Sequence, residues 1–237
     1  MTRCDPALVI LTIGCAIACA ALVVAEWRAV VRLRIAAKLG ASAAFVAVGL
    51  RAYQLGPGSG PQDAPLAWFG QAIVAGLVLG AIGDACLLAA GKRWFLAGLA
   101  SFLLGHLAYV AGIAQIAPVD RWLPGAGALA AIPVAIGLVV LARLWPRIRG
   151  SGVMRLAVPA YVVIICVMVI AAIAAARDAA LPPANGCRLV TGACLFFVSD
   201  LSVARDRFMA KGFANKLWGL PTYYAGQLLI AWTLAGL

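Results

Sequence analysis

The sequence predicts an all-α, polytopic membrane protein, and three observations predict it. Of 237 residues, 65% are hydrophobic and only 11% charged, with a mean hydropathy of +1.03. Soluble domains carry roughly 25% charged residues, and a soluble fold of this size could not hide so much apolar surface. The apolar residues fall in runs of about 20, long enough at ~1.5 Å per residue to cross the ~30 Å hydrocarbon layer as helices. These runs do not alternate apolar with polar, as barrel strands would.

Eight spans follow, at 7–25, 35–54, 67–89, 95–117, 124–144, 154–176, 187–203 and 213–235. The first has a single Arg3 before it and a stronger basic cluster behind it, so it reads as a retained helix with its amino end outside rather than a signal peptide. The second ends in "GPGSGPQDAP" (Gly56 to Pro65), the longest non-apolar connection in the chain. Nothing else resembles a linker, so residues 1–237 form one domain. Abundant Gly and Ala suit close packing of membrane helices through small residues.

The cations set the orientation. One set of alternate loops carries 14 of the 19 Lys and Arg residues: Arg28, Arg32, Arg34, Lys38, Lys92, Arg93, Arg143, Arg147, Arg149, Arg155, Arg205, Arg207, Lys211 and Lys216. The other set, with both termini, carries Arg3, Arg51, Arg121, Arg177 and Arg188. By the positive-inside rule both termini face away from the cytoplasm. The formal charge of +11 is thus chiefly topological, with anionic lipid as a secondary partner and no nucleic acid implied. The expected location is the cell's inner (plasma) membrane. The seven cysteines show neither CxxC nor metal-ligand spacing. Cys4 and Cys187 both fall on the outer side, where a disulfide is allowed but not required.

Eight acidic residues are present, and six of them lie in loops or near span ends: Asp5, Glu26, Asp63, Asp120, Asp178 and Asp206. Asp84 and Asp200 alone sit inside apolar stretches, where a carboxylate costs at least ~2.5 kcal/mol. Their surroundings match: "LVLGAIGDACLLAAGKRWF" and "GACLFFVSDLSVARDRF" share an apolar run, an Asp, an apolar turn, basic residues and a Phe. Four spans separate them, which accommodates two parallel four-helix repeats. Each Asp lies about five residues from the next loop, ~8 Å below the cytoplasmic surface. Two carboxylates so placed could share a cavity and titrate apart, one as an acid and one as a base. The competing reading is structural: each Asp caps a neighbouring helix or pairs with Arg93, Arg205 or Arg207.

Other polar residues fall at helical spacing. Phe102, His106 and Tyr109 share one face, either as an interhelical hydrogen bond or as a cavity wall. A single histidine excludes a zinc site built on several of them. In "LPTYYAGQLLI", Tyr223 and Tyr224 bracket a face with Gln227 and line a wet cavity or, alternatively, form an interfacial belt. Tyr161 is a weaker candidate of the same kind.

Together these blocks resemble the YhhN-like lysoplasmalogenase family of integral membrane hydrolases. "GDACLLAAGKRWFLAGLASFLLGHLAYV" supplies Gly83-Asp84, Phe95, Gly98, His106 and Tyr109; "GACLFFVSDLSVARDRF" and "TYYAGQLLIAW" supply Ser199-Asp200, Phe208, Tyr223, Tyr224 and Gln227. The amino-terminal third matches less well: Lys38 is followed by Leu39 where the family often has a Lys-Pro pair, which leaves Lys38 without an assigned role.

The resemblance implies hydrolysis of the vinyl-ether bond of a lysophospholipid, without a cofactor or metal. Asp84 and Asp200 would be catalytic, and His106, Tyr109, Tyr161, Ser199, Tyr223, Tyr224 and Gln227 would surround the substrate. Lys92, Arg93, Arg205 or Arg207 would sit near a head-group phosphate entering from the cytoplasmic leaflet. A secondary transporter coupling protons to buried aspartates is the main alternative, with Pro133 and Pro159 as its helix breaks. An intramembrane aspartyl protease fits poorly: the run is Ala81-Ile82-Gly83-Asp84 rather than Gly-x-Gly-Asp, and Pro6-Ala7-Leu8 lies at the wrong end.

Overall fold

The computed structural model describes residues 5–57, 64–177 and 181–237. Arg3, Cys4, Asp63, Asp178 and most of the Gly56–Pro65 connection lie outside them. The described residues form nine α-helices and no strand: α1 (Pro6–Trp27), α2 (Val31–Leu55), α3 (Ala64–Cys86), α4 (Lys92–Ile116), α5 (Trp122–Ala126), α6 (Ala131–Ile148), α7 (Met154–Arg177), α8 (Pro183–Phe208) and α9 (Phe213–Trp232). Counting 119–148 as one unit, seven segments among the described residues are long and apolar enough to cross a membrane. The protein is therefore an all-α polytopic membrane protein. α9 has the length, at 20 residues, but carries Asn215, Lys216 and Gln227.

Outward faces are apolar, as lipid requires. On α1, Ile10, Ile13 and Ile17 are 53–68% exposed at helical spacing. Inward faces are built on small residues. Along α3, Gly76, Gly80 and Gly83 offer a flat strip on which Tyr109, Gln227 and Phe102 are laid; a Cβ at Gly83 would meet the Phe102 ring at 2.8 Å. α8 and α9 use the same device: a Cβ on Gly192 would stand 2.9 Å from the Gly226 carbonyl oxygen, and a Cβ on Gly226 equally close to that of Gly192.

The termini are stapled on one face. Asp5 caps α1 by accepting from the Ala7 and Leu8 amides and pairs with Arg51 at 2.7 Å. The hydrogen bond from Arg51 holds the Asp5 carboxyl below its ordinary range. Trp232 near the end of α9 donates to Thr12 of α1 at 2.9 Å. Asn185, at the start of α8, donates to the Thr233 and Ala235 carbonyls and so satisfies the chain just beyond α9.

Two elements depart from the sequence reading. The continuous span expected at 124–144 is broken into α5 and α6, joined by a 3-10 turn at 127–130. Gly127 takes φ +56°, a left-handed conformation that a glycine adopts without steric cost, and Arg177 donates to the freed Gly125 and Ala126 carbonyls. The two aspartates also differ in distance from their helix ends. α3 stops two residues after Asp84, where Leu88 and Ala89 turn tightly onto the Ala85 and Cys86 carbonyls. α8 runs eight residues past Asp200, its last turn carrying Arg205 and Arg207, which suit the negative end of the helix dipole.

Gly192→Leu should wedge α8 from α9 and lower stability by about 1–3 kcal/mol, the usual cost of overpacking. Gly14→Ala, with open space around its Cα, should not. Thermal unfolding of the purified protein in detergent distinguishes the two.

Candidate active site

α2 begins with cations, as a helix entering a membrane from the basic side does, but its third cation turns inward. Lys38 is 9% exposed, and its ammonium lies 2.6 Å from Asp84 Oδ1. Ser42, one turn on, donates to Asp84 Oδ2 at 2.7 Å. Tyr224 of α9 reaches the same oxygen at 3.5 Å and the Lys38 carbonyl at 3.4 Å. Asp84 is 1% exposed, so this is a buried carboxylate with its own counter-ion.

Asp200 lies in another setting. Tyr161 of α7 donates to its Oδ2 at 3.0 Å, and His106 Nε2 of α4 stands 3.6 Å from that same oxygen. His106 is fully buried against the Phe196 and Tyr161 rings, at centroid distances of 4.5 and 5.2 Å. Its Nδ1 lies 2.7 Å from the Phe102 carbonyl. A carbonyl only accepts, so Nδ1 carries a proton, and in the neutral ring Nε2 presents a lone pair to Asp200. No Lys or Arg pairs with Asp200 among the described residues, and its side chain is 18% exposed.

Both carboxyls line one cavity of about 870 Å³. Phe102, Tyr161, Ile165, Phe196 and Tyr223 form its inner walls, and it extends to Arg207, Lys211 and Gly212 at the α8–α9 turn. A volume in the range of roughly 300–1,000 Å³, mostly apolar with a few convergent polar groups, is usual for a small-molecule site. No three His, Cys, Asp or Glu side chains gather as metal ligands would among the described residues.

The remaining candidates divide. Tyr109 donates to Gln227 Oε1 at 2.7 Å, and Gln227 Nε2 donates to the Tyr223 hydroxyl at 3.3 Å. Tyr109 and Gln227 sit behind the cavity; Tyr223 and the buried Ser199 line it, and Tyr223 and Tyr224 are core residues rather than an interfacial belt. Of the four cations expected near a head group, Arg207 lines the cavity, its guanidinium 4.3 Å from the Phe95 ring centroid. Lys92, Arg93 and Arg205 are exposed and lie outside the lining, Arg93 resting on Trp94.

The sequence reading missed Lys38 and Ser42. Lys38 was counted with the topological cations because it stands at a span entrance. Their signal was a Lys and a Ser four residues apart, on one helical face at an apolar helix's entrance.

Comparison with known proteins places the chain in a family. Residues 33–234 match the YhhN family. The chain is 31% identical over 171 residues to lysoplasmalogenase TMEM86A of Bos taurus, covering 67% of this chain and 63% of that protein. To lysoplasmalogenase TMEM86A of Homo sapiens it is 29% identical over 164 residues, with the same coverage. The matches thus span a little under two thirds of these relatives' length. No solved structure matches the chain.

Removing the Lys38 ammonium strands a buried carboxylate. Lys38→Met should lower stability by about 3–5 kcal/mol, and adding Asp84→Asn should restore much of it. Unfolding midpoints of the two variants in detergent measure this coupling. Matched along residues 33–234, the chain belongs to the YhhN family.

Proposed function

We propose that this protein is a membrane-embedded hydrolase that cleaves the vinyl-ether bond of a lysoplasmalogen, with Asp200 as proton donor and Asp84 as the ionised partner. One observation carries the reading: two carboxyls line one cavity, the first facing an ammonium and the second, among the described residues, a phenol and an imidazole. Without a counter-ion in a low-dielectric cavity, a carboxyl tends to keep its proton, which makes it the member of such a pair that has one to donate. The curated relatives' name, lysoplasmalogenase, supports the substrate class.

The chemistry needs that asymmetry. Asp200 gives its proton to the β-carbon of the vinyl ether, the C=C π pair forming the new C–H bond. The α-carbon becomes an oxocarbenium ion, which a carboxylate stabilises, as glycosidases do with two carboxyls. Water adds at that carbon and loses its proton to a carboxylate. The hemiacetal hydroxyl then gives its proton to a carboxylate as the C=O bond forms. The C–O bond to glycerol breaks with a carboxyl protonating the leaving oxygen, leaving a fatty aldehyde and a glycerophospho-base. Asp84, positioned by Lys38 and Ser42, is the carboxylate assigned to the cationic step. Tyr161 orients Asp200 through its Oδ2, leaving Oδ1 without a hydrogen bond among the described residues, and the His106 ring packs beside it. The apolar walls would take the alkenyl chain.

The same reading includes a topology. Eight crossings, with 119–148 counted as one, would form a single domain in the inner (plasma) membrane. Both termini would lie outside the cytoplasm, and the cavity would open toward the cytoplasmic leaflet. The tight α3–α4 and α8–α9 pairs, each packed through glycines and each bearing one aspartate, support two parallel repeats. The broken fifth segment favours the alternative, a transporter coupled to protons at the same aspartates.

Purified protein in detergent should release aldehyde from an alkenyl lysophospholipid, and Asp200→Asn should cut the rate by about 100-fold or more. Asp84→Asn should also lose turnover. Full turnover in both variants would reject the paired-acid reading. Accumulation of intact lipid in proteoliposomes, with no aldehyde, would favour the transporter.

A further inference from the structure

The cavity's charged end differs from the one expected around Lys92, Arg93 and Arg205. Besides the paired Lys38, four cations line it: Arg34, Arg207, Lys211 and Lys216. Two of these are occupied. Lys216 lies 3.6 Å from Asp206, which also accepts from Asn215 and the Gly212 amide. Arg207 spreads its guanidinium on Phe95. Glu26 is the other acidic residue at this end, and no ion pair joins it to a cation among the described residues.

Arg34 stands apart. It lies one helical turn before Lys38 and so shares its inward face of α2. Its side chain is half-buried and lines the cavity, and its Nε is enclosed with no hydrogen-bond partner. A buried guanidinium N–H without an acceptor is costly unless a ligand supplies one. The successive positions on this face then divide the work: Lys38 neutralises Asp84 deep in the cavity, and Arg34 offers a fork of donors nearer the α1–α2 turn. A guanidinium fork suits a phosphate, which it can hold through two parallel hydrogen bonds.

We propose that Arg34, supported by Lys211 across the opening, is the binding site for the phosphodiester of the lipid head group and makes the protein selective for phosphate-bearing over uncharged lysolipids. The assignment deepens the hydrolase reading and rests on its substrate class. Its placement is consistent with a lipid lying along the cavity, with its chain among Phe102, Ile165 and Phe196 and its phosphate where α1–α2 and α8–α9 turn together.

The test is binding rather than turnover, so it stands apart from the outcome of the aldehyde assay. Full-length wild type, Arg34→Gln, Arg34→Lys and, as control, Lys92→Gln are purified in one detergent. Each is titrated with a non-cleavable 1-alkyl lysophosphatidylethanolamine, with the matching 1-alkylglycerol, and with inorganic phosphate. Arg34→Gln should weaken binding of the phospholipid by roughly tenfold, the worth of one charge-assisted hydrogen bond. It should leave 1-alkylglycerol binding unchanged. Arg34→Lys should fall between, and Lys92→Gln should match wild type.

Equal loss for both lipids in Arg34→Gln, or loss for neither, overturns the proposal, as does failure of wild type to prefer the phospholipid. Inorganic phosphate binding as tightly as the lipid would make this a free-anion site and overturn the head-group assignment. Selective binding without aldehyde release would leave the phosphate site standing and remove the hydrolase reading alone.

Discussion

A lysine ammonium and an aspartate carboxylate 2.6 Å apart in the buried interior of the helix bundle tie together much of this structure. Neither charge is tolerable there alone. Removing an ion from water costs several kcal/mol, and only a close partner with further hydrogen bonds offsets it. Ser42 and Tyr224 complete the shell, so that α2, α3 and α9 converge on one carboxylate. The glycines of α3 follow from the same need. Without Gly76, Gly80 and Gly83, neither Tyr109 nor Gln227 nor Phe102 could lie close enough to seal the site. The cost of the buried charge and the closeness of the helices are parts of one arrangement.

Asp200 is governed by a different constraint. It sits where α4, α7 and α8 meet, and its neighbours are groups that can share a proton but carry no fixed positive charge. The Phe102–His106 contact fixes which imidazole nitrogen faces it. One cavity thus holds a carboxylate with a built-in counter-ion and a carboxyl without one. That difference in setting is what any acid–base use of the pair would draw on, and it owes nothing to the two residues' identity, which is the same.

The local signals in the chain were read in proportion to how local their causes are. Long apolar runs make helices because backbone groups in hydrocarbon must be satisfied within their own segment. Asp84 and Asp200 stood out because nothing in their neighbourhood excuses a charge. The faces joining His106 to Phe102, and Gln227 to Tyr223, are visible as spacings of four and recur as hydrogen bonds. Lys38 was hidden by an equally good local explanation, since a cation at a helix entrance normally marks the cytoplasmic side. The break at Gly127 was hidden because an apolar stretch reads alike whether continuous or kinked, and Arg177, some 50 residues on, provides for the freed carbonyls.

By itself, then, the sequence determined the membrane-spanning class, the approximate span positions and the two aspartates, all of which depend on transferring short stretches from water to lipid. Tertiary structure decided which polar groups meet. Burial of Lys38 against Asp84, the joining of both carboxyls to one cavity, and the choice of Arg34 and Arg207 rather than Lys92, Arg93 or Arg205 for its rim are long-range outcomes. They depend on how helices rotate and approach, which small residues on several distant segments permit together and no single stretch encodes.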